Sequence, residues 1–257
     1  MSDKYEIYGE DFAKIYHLNF SQSSRAIAKA LLNIIKRYEL EAVHIVDLGC
    51  GEGTAAKMLI EAGYEVSGCD ISPHMLAIAH EQVPDAQLIL ASSFEYKMPQ
   101  CDIIVGIGGA LSHNPNRWNQ LEHLTQLEYF FERAHRALSP GGLLIFDLPT
   151  MNTLPSHDRL RAGQHYENWS YMQDVTIDLE HCEAQRHITV ATRIDDGALF
   201  RLSREKHRLT LFETWQITDK LHPVGFVTTE SSRIEEYKML TGHQLFWARK
   251  PIEENYT

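Results

Sequence analysis

Apolar residues recur at helical spacing between positions 21 and 38, where Ile27, Leu31, Ile34 and Ile35 share one face behind a serine-rich start. A short apolar run at 44–48 predicts a strand, and residues 53–62 predict a helix that stops at Gly63. The same alternation repeats at once. Residues 65–69 read as a strand, and Ser72 with Pro73 supplies an N-cap and a first-turn proline for a helix running to about 82. Brief β-rich runs at 87–91 and 102–106 follow. A long helix then presents Leu121, Leu124, Leu127, Phe131, Ala134 and Leu138 on one face. Ser139-Pro140-Gly141-Gly142 is expected to end it before a strand at 143–148.

After Thr150 the period changes from helical to two. Residues 175–179, 188–194 and 199–211 alternate apolar with polar, and Asp195-Asp196-Gly197 between two of them is a hairpin signal. A helix at 213–221 and strands at 227–231 and 243–248 close the chain. Strands alternating with helices predict an α/β fold: a Rossmann-like, doubly wound, mostly parallel seven-stranded sheet with an antiparallel β insertion late in the chain. The expected organisation is a single domain over 1–257. It comprises an N-terminal helical lid (1–40), a ligand-binding core (41–150), an antiparallel insertion (163–211) and a closing helix and strands (212–257).

Composition narrows the partners. With 257 residues and 44% apolar content the chain can bury one sizeable core. A formal net charge of -11 repels polyanions, and without a basic patch a nucleic-acid partner is not expected. Cys50, Cys69, Cys101 and Cys182 show no zinc spacing and read as reduced thiols; no metal is expected. His165, His181 and His187 form no ligand set either. No apolar run reaches the roughly 18 residues of a membrane span, and the start has no basic segment followed by an apolar one. A cytoplasmic protein acting on small molecules, as monomer or homodimer, fits best.

The chemistry concentrates in Ile45-Val46-Asp47-Leu48-Gly49-Cys50-Gly51-Glu52-Gly53-Thr54, a strand ending in an acidic residue, then alternate glycines, then a helix. Glycines there let backbone approach a ligand at the carboxyl edge of the sheet. Asp70 ends the next strand, close to the ~20-residue offset at which an acidic side chain meets ribose hydroxyls in this architecture. Nicotinamide dinucleotide binding is the rival, but Thr54 stands where its fingerprint has a third glycine. Asp47 and Glu52 would also repel a pyrophosphate. A cationic, phosphate-free nucleoside suits the flanking carboxylates.

With these residues the chain resembles the class I S-adenosylmethionine (SAM)-dependent methyltransferase family over most of 40–150. D-L-G-C-G-E-G looks like the family's first motif, G-C-D-I-S-P-H-M-L its ribose segment, C-D-I-I-V-G its fourth strand and L-S-P-G-G-L-L-I-F-D its fifth. The resemblance implies SAM as cofactor, with Gly49, Cys50 and Gly51 near it and Asp47 organising its amino-acid end. Asp70 would take the ribose hydroxyls, Ile71 and Met75 would pack near adenine, and Gly106 would close the fourth strand. The family often has an acidic residue after its third strand, where this chain has Ala91-Ser92-Ser93-Phe94. Adenine recognition then falls to Ser92, Ser93, a backbone group and Phe94.

The chain is also loosely similar to amino-sugar N-methyltransferases, through a Tyr-x7-Tyr segment (Tyr8, Tyr16) and a histidine after the fourth strand (His113 in G-G-A-L-S-H-N). His113 follows a strand's carboxyl end, where neutral imidazole takes a proton from an acceptor amine or hydroxyl or simply lines the pocket. Tyr8 and Tyr16 either close over the site as part of the lid, with Tyr8 near the reacting atoms and Tyr16 against the cofactor, or pack a helix; His17 is expected at the surface. Asp147 either touches the acceptor or caps the turn at Pro149. Tyr166, Trp169 and Tyr171 either wall an apolar acceptor or pack the insertion sheet. The expected reaction is in-line methyl transfer to N or O rather than C of a small molecule. A nicotinamide-dependent oxidoreductase and a non-catalytic SAM-binding module remain alternatives.

Overall fold

The computed structural model describes residues 7–154, 159–195, 199–234, 237–239 and 241–252. The first six residues, read above for a leader, and hairpin residues 196 and 197 lie outside these. Two helices lead, α1 (Glu10–Asn19) and α2 (Gln22–Arg37). Then come β1 (His44–Leu48), α3 (Thr54–Glu61), β2 (Glu65–Asp70), α4 (Pro73–Gln82), β3 (Gln87–Leu90) and β4 (Cys101–Gly106). The cap read at Ser72 is real: its hydroxyl accepts from the Met75 N–H at 3.1 Å, with Pro73 in the first turn. Next, α5 (Gln120–Ala137) opens on a reciprocal capping box of Asn119 and Glu122 and passes directly into β5 (Leu138–Pro149).

That junction corrects the expected Ser-Pro-Gly-Gly break. Residues 139–142 are drawn into the sheet, where Gly141 takes φ +81° and its N–H donates to the Lys250 carbonyl at 3.0 Å. Leu121 is a second correction. It is 73% exposed at the first turn of α5, and Phe130 and the fully buried His123 complete the helix's inner face.

After β5, strands β6 (Arg159–His165), β7 (Trp169–Asp178), β8 (Glu183–Arg193) and β9 (Phe200–Thr210) pair antiparallel in sequence order as a separate sheet. The insertion thus begins before residue 163, at a strand whose sequence, Arg-Leu-Arg-Ala-Gly-Gln-His, alternates only over its first four residues. The chain ends with α6 (Thr214–Leu221), β10 (Val227–Ser231), the unforeseen short pair β11 (Arg233–Ile234) and β12 (Tyr237–Lys238), and β13 (His243–Arg249). Departure and return of the insertion lie side by side, because Thr150 bridges Phe212 and the Met151 N–H donates to the Phe212 carbonyl.

The main sheet has the order β10-β13-β5-β4-β1-β2-β3, all parallel except β13, which runs antiparallel to both β5 and β10. Its strands alternate faces. Ile45, Ile103 and Ile145 pack with α2, α3 and α4, whereas Val46, Ile104 and Phe146 pack with α5 and α6. Strand order reverses between β1 and β4, so a crevice opens beyond their carboxyl ends.

Close approach of β1 and β2 requires Gly68, opposite Asp47 in register: a Cβ there would lie 2.1 Å from the Asp47 carbonyl oxygen. Gly68→Ala is therefore expected to lower unfolding free energy by about 1–3 kcal/mol or more, read by denaturant titration. Unchanged stability would contradict this register.

Candidate active site

Beyond Leu48 the chain turns through Gly49, Gly51 and Gly53, with φ of +68°, +56° and +82°. The Gly49 and Cys50 N–H groups both donate to the Cys69 carbonyl, at 2.8 and 3.0 Å, which presses the turn against the end of β2. At Gly49 a Cβ would sit 2.9 Å from that of Ala110. At Gly51 a Cβ meets only the Gly49 oxygen, at 4.0 Å, so a side chain would fill the cavity that Gly51 lines.

Three carboxylates gather around this turn. Asp70 accepts from the Gly51 N–H (2.9 Å) and the Ser72 N–H (2.7 Å). Asp47 and Glu52 are buried, and Asp47 Oδ2 and Glu52 Oε1 have no hydrogen-bond partner among the described residues. Burial, then Asp70 and Glu52, pushes the Asp47 carboxyl up to about 7. Burial likewise lifts Asp70 to about 6, against the opposing pull of the Ser72 and Gly51 N–H donors. Orphaned, mutually repelling carboxylates beside an open glycine cradle form a site that gains from a cation. SAM, with its ammonium, sulfonium and ribose, meets each of these demands without a phosphate.

One cavity brings together Tyr8, Tyr16, Gly49, Cys50, Gly51, Asp70, Ile71, Met75, Ser92, Ser93, Phe94 and His113. Asp47 lies behind the turn. Gly106 is not on the wall: its α-carbon faces Leu48, Ala110 and Phe146, and the cavity is lined instead by Ile107 and Gly108 just after it. Sequence reasoning also missed Ser23, Ser24 and Ile27 of α2; the serines read only as a helix start. Cys50, Cys69 and Cys101 are buried free thiols, with Cys69 pushed up to about 12 by burial.

The loop after β4 is held from two sides. Asp147, wholly buried at the end of β5, accepts from the N–H groups of Gly108 (2.8 Å) and Gly109 (2.9 Å) and contacts His243 Nδ1 at 2.6 Å. It neither caps the Pro149 turn nor lines the cavity; it fixes the loop. Farther on, His113 bridges Leu209 of β9, and buried His123 ties the Leu111 carbonyl (3.0 Å) to Thr210 Oγ1 (2.8 Å). His113 is thereby fixed against the insertion. Its Nδ1 is buried without a partner among the described residues, which leaves Nε2 as the ring nitrogen available to the cavity. Burial, then His207, Arg186 and His243, keeps His113 neutral well below the usual histidine range.

The N-terminal segment straps across the mouth. Glu205 of β9 accepts from the Tyr8 and Gly9 N–H groups, both at 2.8 Å, and contacts His207 Nε2 at 2.7 Å. Ser72 donates to the Tyr8 carbonyl at 2.7 Å, and Asp11 pairs with Arg201 of β9. Phe12 stacks on Tyr171 (ring centroids 5.4 Å apart), and Trp169 packs on Phe20, so these insertion aromatics pack the lid rather than wall the cavity. Tyr166 is exposed and stacked on Trp169. His17 is half-buried rather than at the surface, with a buried Nδ1.

Residues 45–142 match the family described as methyltransferase domain. The chain is 26% identical over 221 residues to a Geobacillus sp. protein named provisionally as a methyltransferase, covering 84% of this chain and 88% of that one. It is 26% identical over 232 residues to the trans-aconitate 2-methyltransferase of Shigella dysenteriae, covering 89% and 86%. In fold it is similar to the SAM-bound structure of an amino pentose methyltransferase from Micromonospora echinaspora, with a TM-score of 0.74 and 18% identity over 95% of this chain and 98% of that one.

Proposed function

We propose that this chain, which matches a methyltransferase domain over residues 45–142 and has the fold of a SAM-bound methyltransferase structure, moves a methyl group from SAM to a nitrogen or oxygen of a small molecule held between the glycine turn and His113. The observation that supports this most is the pairing of orphaned Asp47 and Glu52 carboxylates with a glycine turn free of Cβ atoms on one side of the cavity and a neutral histidine on the other. Asp70 is proposed to hold the ribose hydroxyls, Asp47 and Glu52 the cationic amino-acid end, and Ile71, Met75, Ser92, Ser93 and Phe94 the adenine.

Bound SAM supplies an electrophilic methyl on a sulfonium, which needs little acid/base help to leave. What the chain adds is alignment and exclusion of water: the strap at Tyr8 and the loop fixed by Asp147 enclose the acceptor against the cofactor side. His113 Nε2, held neutral, accepts a hydrogen bond from the acceptor N–H or O–H and so turns its lone pair toward the methyl. Because deprotonation of an amine or hydroxyl is easy beside an electrophile this strong, His113 matters for positioning more than for basicity. A cytoplasmic setting, where the buried thiols stay reduced, and a single working unit over 1–257 go with this reading. No described helix is long and apolar enough to cross a membrane.

Calorimetric titration with SAM and with NADH decides between this function and the nicotinamide alternative; SAM is expected to bind and NADH not. With a cognate acceptor, His113→Ala is expected to slow transfer by about 10- to 100-fold with SAM affinity unchanged. NADH binding without SAM binding would overturn the reading, and turnover against no acceptor class would leave a SAM-binding module.

A further inference from the structure

Two neighbouring histidines, one on the loop after β4 and one on β9, each bury a ring nitrogen that no described residue satisfies. The two orphans are complementary. His207 is wholly buried, and its Nε2 contacts Glu205 Oε2 at 2.7 Å. Glu205 also accepts a backbone N–H on each oxygen, from Gly9 on Oε1 and from Tyr8 on Oε2, which favours the ionised, acceptor-only carboxylate. The hydrogen of the His207 contact therefore sits on Nε2. Burial, then Arg186, pushes His207 down to about 3, so the ring is neutral and its orphaned Nδ1 is a bare lone pair.

His113, which lines the cavity, supplies the other half. With Nε2 accepting from the substrate, the one ring hydrogen of the neutral imidazole lies on Nδ1, the nitrogen that is buried without a partner. The two ring centroids are 5.4 Å apart. Two imidazoles sharing an N–H···N bond of about 3 Å place their centroids about 5 Å apart, so the spacing for a bond is built in and only the ring angles have to settle. One such bond satisfies both orphans. We propose that His207, oriented by Glu205, is the positioning residue for His113: its Nδ1 receives the His113 Nδ1–H and thereby keeps the Nε2 lone pair of His113 aimed at the acceptor. This deepens the methyl-transfer reading and rests on it. Free imidazole favours the hydrogen on Nε2, the tautomer in which that lone pair is lost, and the bond to His207 reverses the preference. Since the same carboxylate holds the Tyr8 and Gly9 N–H groups, the aim of His113 is tied to the seating of the strap.

The test reads the His113 tautomer directly, by long-range proton–nitrogen NMR of the isotopically labelled full chain saturated with S-adenosylhomocysteine, with the His113 signals assigned by their loss in His113→Gln. In the parent the ring hydrogen is expected on Nδ1. Two variants then separate aiming from packing. His207→Gln sets its amide near the Nε2 position, which keeps a donor for Glu205 and removes the acceptor at Nδ1; it should return most of the His113 population to the Nε2–H form. His207→Asn sets its amide near the Nδ1 position and should hold His113 in the Nδ1–H form although the Glu205 contact is lost. If His207 served only to pack Glu205 and the strap, the Gln variant would be the benign one. An Nε2–H or mixed tautomer in the parent, which needs no variant, overturns the proposal, as does the same tautomer in both variants or the reverse pattern. If calorimetry shows that the parent does not hold S-adenosylhomocysteine, the methyl-transfer reading falls instead, and the tautomer in the chain alone still decides the pairing.

Discussion

Asp70→Ala is expected to lower SAM affinity by about 30- to 1000-fold, the largest single-residue effect in the molecule. Two losses combine. The carboxylate proposed to take both ribose hydroxyls disappears, at about 1.5–3 kcal/mol for each charge-assisted hydrogen bond, partly offset because less charge is desolvated. The Gly51 and Ser72 N–H groups, which it organises at 2.9 and 2.7 Å, also lose their acceptor, loosening the glycine turn and the start of α4. Calorimetric titration of a variant with a parent-like circular dichroism spectrum measures this. Parent-like affinity would remove Asp70 from the cofactor site.

SAM affinity should also fall steeply with acid. In the free protein Asp47 titrates near 7 and Asp70 near 6, both raised mainly by burial. A bound cation favours their ionised forms, so below these values binding must first release protons. Affinity then drops by up to tenfold per pH unit for each protonated group, amounting to about two to three orders of magnitude between pH 7.5 and 5. The same raised values act oppositely on the free protein. The stability they contribute is present below the unfolded value of 3.8 and is lost as pH rises through 6 to 7, so SAM should raise the melting temperature more at pH 7.5 than at pH 5. A pH-independent SAM affinity would show that Asp47 does not meet the cation and that Asp70 does not meet the ribose. His113, neutral well below 6.5, adds no limb near neutrality.

How much of this the sequence carried depends on the element. From β1 to α4 the boundaries are legible almost to the residue, because β1 runs into Gly49, α3 stops just before Gly63 and a Ser-Pro pair opens α4, all local signals. The start of β5 was not, since tertiary pairing with β4 and Lys250 overrides the turn chemistry of Ser139-Pro140-Gly141-Gly142. Leu121 was misplaced because the first turn of α5 projects beyond the core it later joins. Asp47, Asp70 and the glycine turn were readable because their spacing is local. Glu205 and His207 were not: they meet Tyr8 only through the course of β9 and the placement of a strap some 200 residues away, which no local pattern encodes.

The insertion leaves the core at Thr150 and rejoins it at Phe212, two positions that touch. A segment with adjoining ends can be exchanged for another without respacing the strands it interrupts, so the sheet that anchors the N-terminal strap through Glu205 and Arg201 is separable from the core that carries the glycine turn.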